Sequence, residues 1–145
     1  MTGGWQGLED QYGSTKKEDD MKDAQEAVVV TSEAVPGSAV AAGSSTFIQV
    51  LIGGDKAPNF AMRRFTIEPG GGIPNHTNTV EHEQYVLGGH AEVGIGDQVY
   101  QVKKGDAVFI PAGVPHWYRA DGEEPFQFLC LVPNQPDTIE MVRGS

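Results

Sequence analysis

An all-β, antiparallel fold is what this sequence predicts, and three observations predict it. Short β-branched or aromatic runs recur roughly every 8–12 residues. Turn-formers interrupt them throughout, with 19 Gly and 9 Pro in 145 residues. No stretch carries a sustained helical repeat of apolar residues. Regularly spaced short strands with turn signals between them make a sandwich or a barrel. The length is that of one domain able to bury a hydrophobic core.

Residues 1–25 are polar and Gly-rich and contain the charge cluster KKEDDMKD at 16–23. Such a segment has little to bury. Residues 1–26 are read as an N-terminal arm, either irregular or with a short helix, packed on a partner or flexible. Residues 27–31 (AVVVT) give the first strand signal, and 36–45 form a small-residue loop. Residues 46–52 (TFIQVLI) are a strong strand, ended by Gly53-Gly54-Asp55. Residues 59–68 (NFAMRRFTIE) are the next, ended by Pro69-Gly70-Gly71-Gly72. Further strands are expected over 81–87, 90–96, 98–102, 106–110, 116–120 and 125–132. Gly88-Gly89, Gly96-Asp97 and Lys103-Lys104-Gly105-Asp106 are read as hairpin turns. After Pro133 the chain is expected to be irregular or a short terminal turn. The barrel domain is placed at 27–138 and a C-terminal tail at 139–145, with Arg143-Gly144-Ser145 read as a vector remnant.

The net charge of −10 disfavours nucleic acid and anionic membranes as partners. The N-terminus lacks the basic-then-apolar pattern of a signal peptide, and no apolar run approaches the ~20 residues of a membrane span. A cytoplasmic protein is the expectation. Cys130 is the only cysteine, which excludes an intramolecular disulfide. Its setting, FQFLCLV, reads as that of a buried small hydrophobe.

All four histidines fall between Gly70 and Ala120. Residues two apart on a strand share a face, so His76 and Asn78 face one way if that piece is extended. Alternation in 81–87 groups His82 with Gln84 and Val86, and turns Glu81 and Glu83 away. The run from Gly105 to His116 is a strand, a Pro/Gly reversal and a histidine opening the next strand. Fixed φ at the prolines and freedom at Gly113 hold such a histidine in place. His76, His82 and His116 can therefore converge on one metal ion. His90 lies outside this grouping and is read as a surface residue.

These residues resemble the two-motif signature of the cupin superfamily. Gly70, His76, Asn78, His82 and Gly89 stand at the places of its first motif; Gly105, Pro111, Gly113, His116 and Ala120 stand at those of its second. Three positions depart from the pattern. Asn78 replaces the family's second histidine, Ala120 replaces its closing asparagine, and His82 replaces its glutamate, as in a subgroup of small cupins with an all-histidine site. The resemblance implies an antiparallel double-stranded β-helix, a jelly-roll barrel with an N-terminal arm. It implies a divalent transition metal (Fe, Mn, Ni, Cu or Zn) held by His76, His82 and His116, with Asn78 a fourth ligand, a water-mediated one or an open position. It also implies a homodimer, with Tyr85 and residues 28–31 as candidate contacts.

Other residues face the expected interior. Of Arg63 and Arg64, adjacent on a strand, one points in; it anchors a substrate carboxylate or enolate, or pairs near the mouth with an acid such as Glu68. Gln84 shares the face of His82, and Tyr118 that of His116, so both are candidates to touch a bound water or substrate. Phe65, Phe109, Trp117, Phe126 and Phe128 read as core or sheet-packing residues. The expected function is a metal-dependent oxidoreductase of the dioxygenase type on a small organic substrate, with Tyr118, Gln84 and Arg63 as catalytic candidates. A non-oxidative isomerase or lyase and a non-catalytic small-ligand binder are the alternatives.

Overall fold

The computed structural model describes residues 26–143, so the expectation for residues 1–25 lies outside it. Among the described residues ten strands form one antiparallel sheet wound into a barrel. They are β1 (Ser38–Ala39), β2 (Ser44–Ile52), β3 (Phe60–Asn78), β4 (His82–Gly88), β5 (His90–Ile95), β6 (Gln98–Lys103), β7 (Ala107–Ile110), β8 (His116–Asp121), β9 (Phe126–Pro133) and β10 (Ile139–Met141). The all-β jelly-roll reading is therefore correct.

β3 is the strand that turns a sheet into a barrel. Its first half pairs with β2 and β9, its second half with β8 and β10. The sequence places a stop at Pro69–Gly72, yet the strand runs through it. Gly70 takes φ +83°, where an L side chain is strained, and a β-carbon on Gly72 would meet the Tyr118 carbonyl. The glycines bend the strand instead of ending it.

Two of the three expected hairpins are crossings between faces of the barrel. β4 pairs with β7 and β9, whereas β5 pairs with β6 and β8, so Gly88-Gly89 carries the chain across. Lys103–Asp106 does the same between β6 and β7. Only Gly96-Asp97 closes a hairpin, with Ile95 opposite Gln98. Turn residues report the reversal but not the partner.

Residues 27–31 are not a strand. Val29 is 98% exposed, and β2's edge at Phe47 and Ile48 is already taken by β1. A 3-10 turn, Ser32–Ala34, follows. It is tied down by Gln49, whose Nε2 donates to the carbonyls of Ser32 (2.7 Å) and Val35 (2.9 Å), and by Arg64, whose Nη1 donates to Ser32 Oγ (2.9 Å). At the other end β10 was missed: Ile139, Glu140 and Met141 pair with Asn78, Thr77 and His76.

Alternation gives the interior a graded lining. Reading one way along each strand, the inward residues are His82, Gln84, Val86 on β4 and His116, Tyr118, Ala120 on β8; β3 and β9 run Arg63, Phe65, Ile67 and Cys130, Phe128, Phe126. Pairing of Arg63 with Cys130, Phe65 with Phe128 and Ile67 with Phe126 puts like levels side by side. Polar groups collect at one end, aromatics in the middle and hydrocarbon at the other. Phe65, Phe128 and Tyr118 stack in sequence at centroid spacings of 5.1 and 5.3 Å. Phe126 is fully buried, a burial that contributes roughly 1.5–3 kcal/mol. Phe109 does not join this core. It is 56% exposed because β7 turns Val108 and Ile110 inward. Trp117 lies half-buried across Gly94, where a β-carbon would overlap the indole.

Candidate functional site

Three strands deliver the site. The pairing of β3 with β8 sets His76 opposite His116, and their rings stand 4.2 Å apart between centroids. His82, at the start of β4, approaches from the other face of the barrel, 5.6 Å from His116. The turn before β8 is tied to β3: Gly113, at φ +79°, donates its backbone N–H to the Asn78 carbonyl at 2.8 Å. The two sequence clusters are thus joined by backbone as well as by side chains.

Each imidazole has one nitrogen engaged. His76 Nδ1 lies 2.8 Å from the Pro74 carbonyl and His116 Nδ1 lies 2.9 Å from that of Val114, in both cases two residues back along the chain. A carbonyl only accepts, so these nitrogens carry the hydrogen and the opposite nitrogens keep their lone pairs. His82 Nδ1 lies 3.2 Å from Cys130 Sγ. Asn78 donates its amide nitrogen to Asp137 at 2.9 Å. That leaves His82 Nε2, His116 Nε2 and Asn78 Oδ1 buried with no partner.

Burial holds the His82 and His116 rings neutral. It pushes His82 down to about 3, with the Arg63 charge adding to the effect. It pushes His116 down to about 4, against the opposing bond to the Val114 carbonyl. Burial likewise raises Tyr118 and Cys130, so both keep their protons near neutrality.

The orphaned atoms border a cavity of about 220 Å³. Val40, Ile48, Phe65, Ile73, Phe128 and Ile139 give it apolar walls. Arg63, Gln84 and Tyr118 also line it. Arg63 is the inward arginine. It donates from Nη2 to Cys130 Sγ at 3.3 Å and lies over the Phe65 ring at 5.2 Å, whereas Glu68 is exposed. Gln84 Nε2 donates to Tyr118 Oη at 2.7 Å. Glu81 and Glu83 face away as expected, and His90 is exposed.

The structure therefore brings His76, Asn78, His82, His116, Arg63, Gln84 and Tyr118 to one cavity. Sequence reasoning missed Asp137 and Ile139, which lie beyond the last recognised strand. No periodicity marks them. It read Cys130 as packing alone, although its alternation with Phe126 and Phe128 points it at the same end. Two neutral imidazole nitrogens and an amide oxygen, all buried and unpartnered, are the donor chemistry of a divalent transition metal site. Among the described residues no three His, Cys, Asp or Glu side chains already close into a metal-holding group. The fit rests on the orphaned atoms, the amide included.

Comparison with known proteins agrees with the fold. The family model of the cupin domain matches residues 63–132. A cupin 2 domain-containing protein from Halorhodospira halophila is 34% identical, with a TM-score of 0.65 over 69% of this chain and 72% of that one. The polyketide cyclase RemF from Streptomyces resistomycificus is 28% identical, with a TM-score of 0.76 over 83% of this chain and 88% of that one. Acireductone dioxygenase of Citrobacter koseri is 38% identical over 52 residues, 34% of this chain. The chain spans only 29% of that enzyme's length.

Proposed function

The chain belongs to the cupin superfamily, and from that premise we propose that it is a metal-dependent oxidoreductase of the dioxygenase type acting on a small organic substrate. His76, His82 and His116 hold a divalent transition metal (iron, manganese, nickel, copper or zinc), with Asn78 Oδ1 as a fourth ligand. The observation that carries this reading is the set of buried donor atoms with no protein partner, which cost free energy unless something satisfies them. When bound, the metal would supply Lewis-acid polarisation of the substrate and, for a redox-active ion such as iron, manganese, nickel or copper, activation of oxygen.

The remaining residues prepare the substrate. Arg63 has a buried Nε without a partner, and its charge suits a carboxylate or enolate oxygen at the cavity wall. The Gln84–Tyr118 pair orients a neutral hydroxyl toward the same space. The apolar walls limit water around the reacting atoms. The likeness to acireductone dioxygenase supports the oxygenase class.

A second reading, a non-oxidative isomerase or lyase, gains from Asp137. It places a carboxylate on the cavity wall, the base that the sequence alone did not supply. The likeness to a polyketide cyclase points the same way. The test begins with metal content by mass spectrometry on wild type and His116→Ala. Near one metal per chain, largely lost in the variant, is the expected result. Anaerobic spectral titration with 1,3-diketones, catechols and flavonols follows. A shift followed by oxygen-dependent turnover supports the first reading, oxygen-independent turnover lost in Asp137→Asn supports the second, and binding without turnover leaves a ligand-binding barrel.

A homodimer is part of the proposal. Tyr85 and Phe109 lie exposed on the outer faces of β4 and β7, and residues 28–30 add exposed valines. Sedimentation of wild type against Tyr85→Arg tests it, with a dimer reduced to monomer expected.

A further inference from the structure

We propose that Cys130 is a positioning residue whose sulfur accepts the Nδ1 hydrogen of His82, keeping Nε2 of that ring free to face the cavity. The inference rests on reading the three histidines as ligands, and it concerns how the chain prepares them. His76 and His116 solve the problem with backbone: a carbonyl two residues back fixes the tautomer of each. His82 has a side chain in that place, the Cys130 sulfur at 3.2 Å.

A thiol, unlike a carbonyl, either donates or accepts. Its other neighbours decide which. Arg63 Nη2 reaches the same sulfur at 3.3 Å, and arginine has no acceptor atom to offer. Gln84 Nε2 stands at 3.7 Å, a second N–H directed there. The protonated sulfur has two lone pairs, enough to accept from both Arg63 and His82, with its own weakly donating hydrogen turned away from the ring. Cys130 is fully buried, so no water stands in for it. The far side of the His82 ring fits the same assignment: Nε2 is buried and without a partner, as a lone pair kept for a ligand would be. A hydrogen there would be a stranded donor, at a cost in free energy.

The test reads tautomers directly. Metal-free protein labelled with ¹⁵N-histidine is measured by long-range ¹H–¹⁵N correlation, for wild type, Cys130→Ala and Cys130→Val. Alanine removes volume and valine adds it, while both remove the acceptor, so a change common to the two variants reports loss of the hydrogen bond rather than a packing effect. We expect the Nδ1–H form for His76, His82 and His116 in wild type. In both variants only His82 moves toward Nε2–H, while unchanged His76 and His116 signals report an intact fold. Zinc affinity by chelator competition falls about 10- to 100-fold in both variants, as for other partners behind metal ligands. An Nε2–H form of His82 in wild type overturns the proposal, as does a His82 signal unmoved in both variants. If wild type binds no zinc, the ligand reading fails, and the tautomers still decide the role of Cys130.

Discussion

The two ends of the barrel interior are built on opposite rules from the same strands. At one end Ile67, Val86, Ala91, Ala120 and Phe126 fill the space with hydrocarbon, and each buried group has what it needs from its neighbours. At the other, His76, Asn78, His82 and His116 are just as buried, yet three of their polar atoms have no partner. Val86 stands four positions along β4 from His82. A strand passes from one regime to the other without any break in its ladder. The contrast teaches that burial alone does not identify the core. The end that holds the fold together is the satisfied one, and the end left unsatisfied is held by it.

The largest effect should come from the hydrocarbon end. Phe126→Ala removes a fully buried ring and should cost about 3–5 kcal/mol in chemical denaturation. Those variant molecules that remain folded should bind metal normally. His116 is equally buried, at 1% exposure, but His116→Ala in metal-free protein should lower stability by far less, because the ring removed carries an orphaned nitrogen. Its loss should appear in mass spectrometry instead, as metal content falling below about a tenth per chain. Equal destabilisation by the two substitutions would break the comparison.

Three smaller effects sharpen it. Arg63→Gln should weaken binding of small carboxylates about 10- to 100-fold in calorimetric titration of the metal-loaded protein, with metal content unchanged. Asp137→Ala should free the Asn78 amide to turn, lowering metal affinity about tenfold by chelator competition while the melting temperature changes little. The last prediction concerns pH. His82 and His116 are held at about 3 and about 4 in the fold, against an ordinary 6.5. Below pH 6.5 the unfolded chain takes up protons that the fold refuses, so metal-free stability falls with pH, the His116 part ending near 4 and the His82 part near 3. The melting temperature of wild type should drop more steeply over that window than that of a His82→Gln, His116→Gln double variant.

Much of this was legible beforehand because it depends on period two. Alternation placed His82, Gln84 and Val86 together and turned Glu81 and Glu83 outward, and the motif spacing joined His76, Asn78 and His116. What escaped depends on pairing at long range. Nothing local distinguishes the crossing at Gly88-Gly89 from the hairpin at Gly96-Asp97; the difference lies in which strands wait on the other side. Pro69–Gly72 reads as a stop, since a glycine's tolerance of a bend and its tendency to end a strand look the same in sequence. β10 and Asp137 were missed because three exposed residues in a tail have no pattern of their own. They acquire structure only from the edge of β3.

β3 also has a kinetic consequence. Its 19 residues cannot complete their ladders until Phe60 has met Pro133 and His76 has met Met141, contacts between distant parts of the chain. Folds dominated by such closures form slowly, in roughly milliseconds to seconds. His76 and His116 do not face one another until β3 and β8 zip together. An ion held as proposed should therefore be captured late, by a barrel already closing, and its arrival should slow unfolding far more than it hastens folding.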